Sequence, residues 1–204
     1  MINRNVAFKL LLQITLFYCT VGCSSMGGVT SVANTALEAV GIKKPELPEL
    51  PDIQKPARKI QINLHAGENL NADENGRSLA LIARIYKLKQ NTAFQQTSYD
   101  TFLNPQKEKE VLGADLLEVK EVTLIPGQRY QVEEKVSGET YFIGIVALFR
   151  SPANQRWRAT FPTAEVEKTG ITVGLHACAL SVGIGKTSDA TIQKTASLSS
   201  VRCL

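Results

Sequence analysis

Between residues 59 and 66 (KIQINLHA), apolar Ile60, Ile62, Leu64 and Ala66 alternate with Lys59, Gln61, Asn63 and His65. That two-residue period predicts a half-buried strand. Residues 78–89 (SLALIARIYKLK) predict a second strand, with Leu79, Leu81, Ala83 and Ile85 on one face and Ala80, Ile82, Tyr86 and Leu88 on the other. Apolar on both faces, it belongs inside a sheet. The stretch between them, residues 67–77 (GENLNADENGR), is rich in Asn, Asp, Glu and Gly, which predicts an exposed loop. From 91 to 117 the alternation gives way to three- and four-residue steps among Phe94, Tyr99, Phe102, Leu103, Val111, Leu112, Leu116 and Leu117. Those steps predict a small helical insertion, interrupted at Asn104-Pro105.

Strand patterns then resume. Residues 119–125 and 128–136 flank Pro126-Gly127, a strong turn signal, and predict a hairpin. Residues 140–150 (TYFIGIVALFR) predict a core strand, and residues 156–161 (RWRATF) a neighbour for it with Trp157, Ala159 and Phe161 on one side. Residues 171–177 alternate again, and the phase slip near Cys178, before Leu180, Val182 and Ile184, predicts a β-bulge. Seven or eight strands with one helical insertion make the chain mainly β, a two-sheet β-sandwich.

The N-terminus follows another pattern. Basic Arg4 and Lys9 lead into an apolar run over residues 6–19, and small residues precede Cys23, the outline of a signal peptide over residues 1–22. The stretch 16–25 (LFYCTVGCSS) resembles a bacterial lipobox, with Gly22 where the signal peptidase needs a small residue and Cys23 as the lipidation site. Thr20 departs from that pattern, which favours Leu there, and bulky Tyr18 makes Cys19 a poor competitor. The other readings are an ordinary signal cleaved near Gly22 and a transmembrane helix. For the latter the apolar run falls short of the roughly 20 residues that span a bilayer core. Acyl chains on Cys23, at about 0.8 kcal/mol per buried methylene, would anchor the chain durably. Ser24, rather than Asp, after the cysteine implies outer-membrane sorting, with the working part on the periplasmic face. Residues 23–58 then form a tether. Within it, 30–41 (TSVANTALEAVG) predicts a short amphipathic helix, and 44–56 (KPELPELPDIQKP) an extended spacer, because its prolines exclude helix and central strand. The folded domain is expected over residues 59–204.

Composition changes this picture little. The chain has 204 residues, 23 basic and 19 acidic, and loss of Arg4 and Lys9 with the signal brings the charges almost level. So even a balance argues against nucleic acid as a partner. The remaining length suits one domain with a genuine core. Beyond Cys19 and Cys23 the chain holds only Cys178 and Cys203. In an oxidising compartment they suggest one disulfide, worth about 3.5 kcal/mol of loop entropy if unstrained. The other reading is two buried thiols.

Candidate chemistry is sparse. Residues 183–188 (GIGKTS) resemble the end of a phosphate-binding loop, but Leu180 stands where that pattern begins with glycine. His65 and His176 are the only histidines, too few for the three or four converging ligands of a zinc site. Neither a metal nor another cofactor is expected. His176 and Cys178 fall on one sheet face and could pair as base and thiol nucleophile, an arrangement that a disulfide would cancel. No serine sits in a nucleophile elbow, and Glu108 to Glu110 and Glu133-Glu134 lie among lysines as solvated faces do. The chain reads as no enzyme, with no small-molecule substrate.

One set of residues is more specific in combination than singly. Residues 70–77 (LNADENGR), 83–89 (ARIYKLK) with Phe94, 112–117 (LGADLL), Pro126-Gly127-Gln128, 141–147 (YFIGIVA), Phe149-Arg150 and Trp157-Arg158-Ala159 resemble, in that order, the TssJ (SciN) family. These are the outer-membrane lipoproteins of type VI secretion systems. The resemblance covers residues 59–163, behind the lipobox; the Pro-rich segment and the cysteine-bearing tail depart from it. It implies a transthyretin-like β-sandwich that binds the periplasmic domain of the inner-membrane subunit TssM as a structural part of the membrane complex. The contact it implies is the loop between the first two strands, here Gly67, Glu68, Asn69, Leu70, Asn71, Ala72, Asp73, Glu74, Asn75, Gly76 and Arg77. In it Leu70 would be the apolar anchor, Asn69, Asn71, Asp73, Glu74 and Asn75 polar contacts, and Gly76 the tight return. A loop held between two well-patterned strands is where a rigid scaffold presents a recognition surface. The competing classes are a ligand- or peptidoglycan-binding periplasmic lipoprotein and a transthyretin-related hydrolase.

Overall fold

A computed structural model describes residues 56–188 and 201–203, all within a compact unit spanning Leu50–Leu204. The expected signal peptide, Cys23 and the tether up to residue 55 lie outside the described residues, as do residues 189–200.

Among the described residues eight strands form two sheets. One has the order β4 (Arg129–Val136), β1 (Arg58–Ala66), β7 (Ile171–Leu175), β8 (Leu180–Ile184); the other is β3 (Leu116–Leu124), β2 (Leu81–Leu88), β5 (Phe142–Ala147), β6 (Arg158–Pro162). Every pairing is antiparallel except β1 with β7. The alternation in β1 has the consequence its sequence dictates: Ile60, Ile62 and Leu64 are fully buried and Ala66 nearly so. They meet Leu81, Ala83 and Ile85 of β2 and Ile143 and Ile145 of β5 in one apolar core, each large side chain contributing about 1.5–3 kcal/mol.

The helical insertion consists of α1 (Thr92–Gln96), α2 (Tyr99–Phe102) and α3 (Pro105–Leu112), followed by a 3-10 turn over Gly113–Asp115. Asn104 starts α3 by accepting the backbone N–H groups of Gln106 and Lys107 at 3.0 and 3.1 Å, and Pro105 takes the first helical position, where its missing N–H costs nothing. Tyr86, Phe94 and Phe102 pack edge to face, with ring centroids 5.2 to 5.9 Å apart. The far end of the Phe94 ring also abuts Gly144, where an added Cβ would meet it at 2.7 Å. The insertion thereby covers the outward face of the β2–β5 sheet.

Several expectations need correction. The strands around Pro126-Gly127 are no hairpin: β3 pairs with β2 and β4 with β1, so the turn is a corner that passes the chain between sheets. The phase slip at Cys178 is not a bulge within one strand but the turn joining β7 to β8, closed by His176 N–H donating to Ala179 O at 3.0 Å. The irregularity in that ladder falls instead between Thr172 and Val173. The second strand starts only at Leu81, because Leu79 N–H is held by Leu70 O within the preceding loop. A short helix, α4 (Thr163–Val166), was not expected.

The register sorts the connections to two ends. The β1–β2 loop, the β3–β4 corner, the β5–β6 connection and the β7–β8 turn share one end; the start of β1 at Arg58, the helical insertion and the β4–β5 and β6–β7 connections share the other.

Candidate functional site

The connection from β1 to β2 has a root and a tip. At the root Gly67 N–H donates to Leu175 O at 2.7 Å, Asn71 N–H to His176 O at 2.9 Å and Ala72 N–H to Ala177 O at 3.0 Å. The loop is thereby laced to the β7–β8 turn. Leu70 is fully buried in the core. Asn71 takes the left-handed conformation, φ 48°, which Asn tolerates better than other side-chain-bearing residues. Its side chain donates to Ala80 O and accepts from Arg150 N–H, both at 2.8 Å.

Two of the expected partner contacts are therefore corrected. Leu70 and Asn71 face inward: the leucine is fully buried and the amide is engaged at both its nitrogen and its oxygen, which fixes the loop and leaves neither side chain exposed to a neighbour. What stays exposed is Glu68, Asn69, Glu74, Asn75, Gly76 and Arg77, while Gly67, Ala72 and Asp73 are half-buried.

The tip is organised by Asp73. Its carboxylate accepts the backbone N–H groups of Asn75 and Arg77, each at 2.9 Å, and the Arg77 Nε–H at 3.0 Å. Asp73 N–H in turn donates to Arg77 O at 2.9 Å, and Gly76, at φ 74°, makes the return. The Arg77 backbone amide, helped by that of Asn75 and by the Arg77 guanidinium, holds the Asp73 carboxyl below the usual carboxylate range. Glu74 reaches across to an ion pair with Arg150. A cleft of about 270 Å³ lies among Asp73, Glu74, Asn75, Arg77, Leu79 and Arg150. The tip is thus a polar, mixed-charge surface fixed before any partner arrives. From sequence, Arg150 stood out only within the Phe149-Arg150 match to the family, and its ion pair with Glu74 was not expected.

Cys178 and Cys203 form a disulfide with Cα atoms 5.6 Å apart, settling the choice left open between a disulfide and two thiols. It leaves His176 no thiol to activate; the imidazole instead shares a 2.9 Å hydrogen bond with Ser181 Oγ, and burial pushes its pKa down. Lys186, in the segment resembling a phosphate loop, is exposed and lies 3.5 Å from Glu165. Among the described residues no group of three or more His, Cys, Asp and Glu side chains is placed to hold a metal.

Two acidic residues expected on solvated faces are buried. Glu108 binds Arg84 at 2.7 Å, and Glu134 binds Lys120 at 2.8 Å and Lys87 at 3.1 Å. For Glu134 burial works to raise the pKa, but the bonds from Lys120 and Lys87 prevail and lower it. The largest cavity described, about 540 Å³, is a groove between α3 and β3 lined by Arg84, Glu108, Leu117, Val119 and Glu121 among others.

A family model described as type VI secretion lipoprotein (T6SS-SciN; VasD, EvfM, TssJ, VC_A0113) matches residues 58–178, from the first residue of β1 to the β7–β8 turn. The chain is similar to the T6SS lipoprotein TssJ1 from Pseudomonas aeruginosa, with 29% identity and a TM-score of 0.57 over 64% of this chain and 98% of that one. It is also similar to a chain in the structure described as T6SS protein TssM C-terminal domain (869-1107) from EAEC, with 24% identity and a TM-score of 0.55 over 62% and 98%. A third likeness is to Serratia marcescens Lip, a membrane bound component of the type VI secretion system, with 18% identity and a TM-score of 0.56 over 66% and 100%. The last two speak for the fold alone. No curated protein matches.

Proposed function

Because the chain belongs to the type VI secretion lipoprotein family, we propose that it is the outer-membrane subunit of a secretion membrane complex, held by lipid on Cys23 at the periplasmic face. Its β1–β2 loop, residues 67–77, binds the periplasmic domain of a TssM-type inner-membrane subunit. The domain boundaries fit this role: a signal over residues 1–22, a tether over 23–58 and the sandwich behind it. The observation that carries the reading is the contrast within the loop, pinned at Gly67, Leu70 and Asn71 and exposed at Glu74 to Arg77. A tip ordered in advance loses little entropy when it is bound. It also lies at the end of the sandwich opposite Arg58, the first residue of β1. Anchoring confines both partners to one thin layer, so modest pairwise affinity suffices.

The test replaces residues 73–77 by a Gly/Ser turn in the full lipidated chain, leaving Leu70 and Asn71 in place, and measures binding to the partner's periplasmic domain in detergent. The variant should melt as the wild type does and bind at least about 100-fold more weakly. Undiminished affinity would sink the assignment.

A further inference from the structure

The tip is too small to be a whole interface. Its six exposed residues include no large apolar side chain, whereas a specific contact buries about 800 Å² and roughly 20–30 residues on each partner, centred on apolar or aromatic anchors. The footprint has to extend over a neighbouring surface. On the side of the β7–β8 turn the neighbours are His176, Ala177, Val201 and Cys203, none of them an exposed large apolar side chain. On the side of β3 they are Ile125 and Ile82, exposed by 59% and 37%.

These two isoleucines share one patch. Ile82 stands opposite Thr123 in the β2–β3 ladder; Ile125 follows two residues later, one past the end of β3, where continued alternation would put it on that face at a diagonal spacing of roughly 7–8 Å. Ile125 is held in place beside the loop root. Its N–H donates to Gln128 Oε1 at 2.9 Å, Gln128 N–H returns to Ile125 O at 3.1 Å, and Gly127 N–H donates to Gly67 O at 3.3 Å. Further along the face, the Arg84–Glu121 ion pair at 2.9 Å bounds the patch with charge. A single exposed isoleucine needs no explanation. Two on one face, fixed to a recognition loop that lacks an apolar group of its own, supply the anchor that the buried Leu70 does not.

We infer that Ile125 and Ile82 form the apolar centre of the partner contact, with the loop tip as its polar rim. The occupant is the same folded domain that meets the tip, presenting an apolar depression edged by polar groups. This rests on the reading of the β1–β2 loop as a partner surface.

The experiment measures affinity of the full lipidated chain for the partner's periplasmic domain, using Ile125→Asp, Ile82→Asp and, at the far part of β3, Val119→Asp. Ile125→Asp should weaken binding at least about 30-fold and Ile82→Asp about 10-fold, while Val119→Asp stays within about twofold. Melting should be unchanged; if Ile125→Asp lowers it, Ile125→Ala is read instead, with about a fivefold loss expected. Binding by Ile125→Asp and Ile82→Asp within about threefold of wild type, with the tip replacement still abolishing it, would overturn this inference and leave the loop reading standing. Loss with Ile125→Asp but not with the tip replacement would keep the patch and remove the loop. A wild-type dimer in sedimentation that Ile125→Asp dissociates without changing partner affinity would assign the patch to a second copy and overturn the inference.

Discussion

Strand β2 carries a long connection at each end, and the two have opposite fates. After it, the helical insertion folds inward: Phe94, Phe102 and Leu112 are buried, and Arg84 ties the segment down through Phe102 O at 2.8 Å and the Glu108 carboxylate at 2.7 Å. Before it, the β1–β2 loop buries one large apolar side chain, Leu70, together with Asn71, and turns residues 74–77 outward on a frame of backbone hydrogen bonds. Both are largely polar in sequence. What separates them is whether enough apolar side chains recur to cover a sheet face, or whether a single one serves as a pin.

The largest effect should come from the inward connection. Phe102 contacts the rings of Tyr86, Phe94 and Trp157, so Phe102→Ala should cost about 3–5 kcal/mol in chemical denaturation. Amide shifts of residues 73–77 should barely move. If they shift strongly, the two ends are coupled and the contrast fails.

Next comes the pin. Leu70→Ala should cost roughly 3 kcal/mol and, unlike Phe102→Ala, should also weaken partner binding by loosening the tip. Full affinity in a folded Leu70→Ala chain would show that the root does not position the tip.

The smallest effect is local and acid-dependent. The Asp73 carboxyl is depressed in the folded state, so the order it gives the tip is complete above the usual Asp value, about 3.9, and is lost as pH falls through the lower folded value. In NMR titration the Asn75 and Arg77 amides should shift with a midpoint below about 3.9, with Phe94 and Phe102 unaffected. A midpoint at or above that value would remove Asp73 as the organiser.

Much of this architecture was legible in the sequence because it is written locally. The two-residue period of β1, the helical steps after residue 91 with their break at Asn104-Pro105, and the turn at Pro126-Gly127 all describe what a chain does over a few residues. Pairing is not local. Pro126-Gly127 shows that the chain turns but not that β4 lies beside β1, and nothing near residue 62 announces a parallel neighbour at Ile171. Leu70 was misassigned for a related reason: a lone apolar residue in a polar loop has no periodicity to reveal which way it faces. Glu108 and Glu134 looked solvated because their partners Arg84, Lys87 and Lys120 come from other elements. The proposed contact surface was legible only through the family likeness, and the apolar flank inferred at Ile82 and Ile125 required the register.

β1 runs from Arg58 to the root of the loop, with a ladder on each flank, to β4 over Arg58–His65 and to β7 over Ile62–Ala66. If the chain is anchored ahead of Arg58 and gripped at the loop, as proposed, tension between the two envelope membranes would travel along this one strand. Both points lie on one continuous stretch of chain, so the covalent backbone of β1, already extended, carries the load and the ladders on its flanks are not pulled apart.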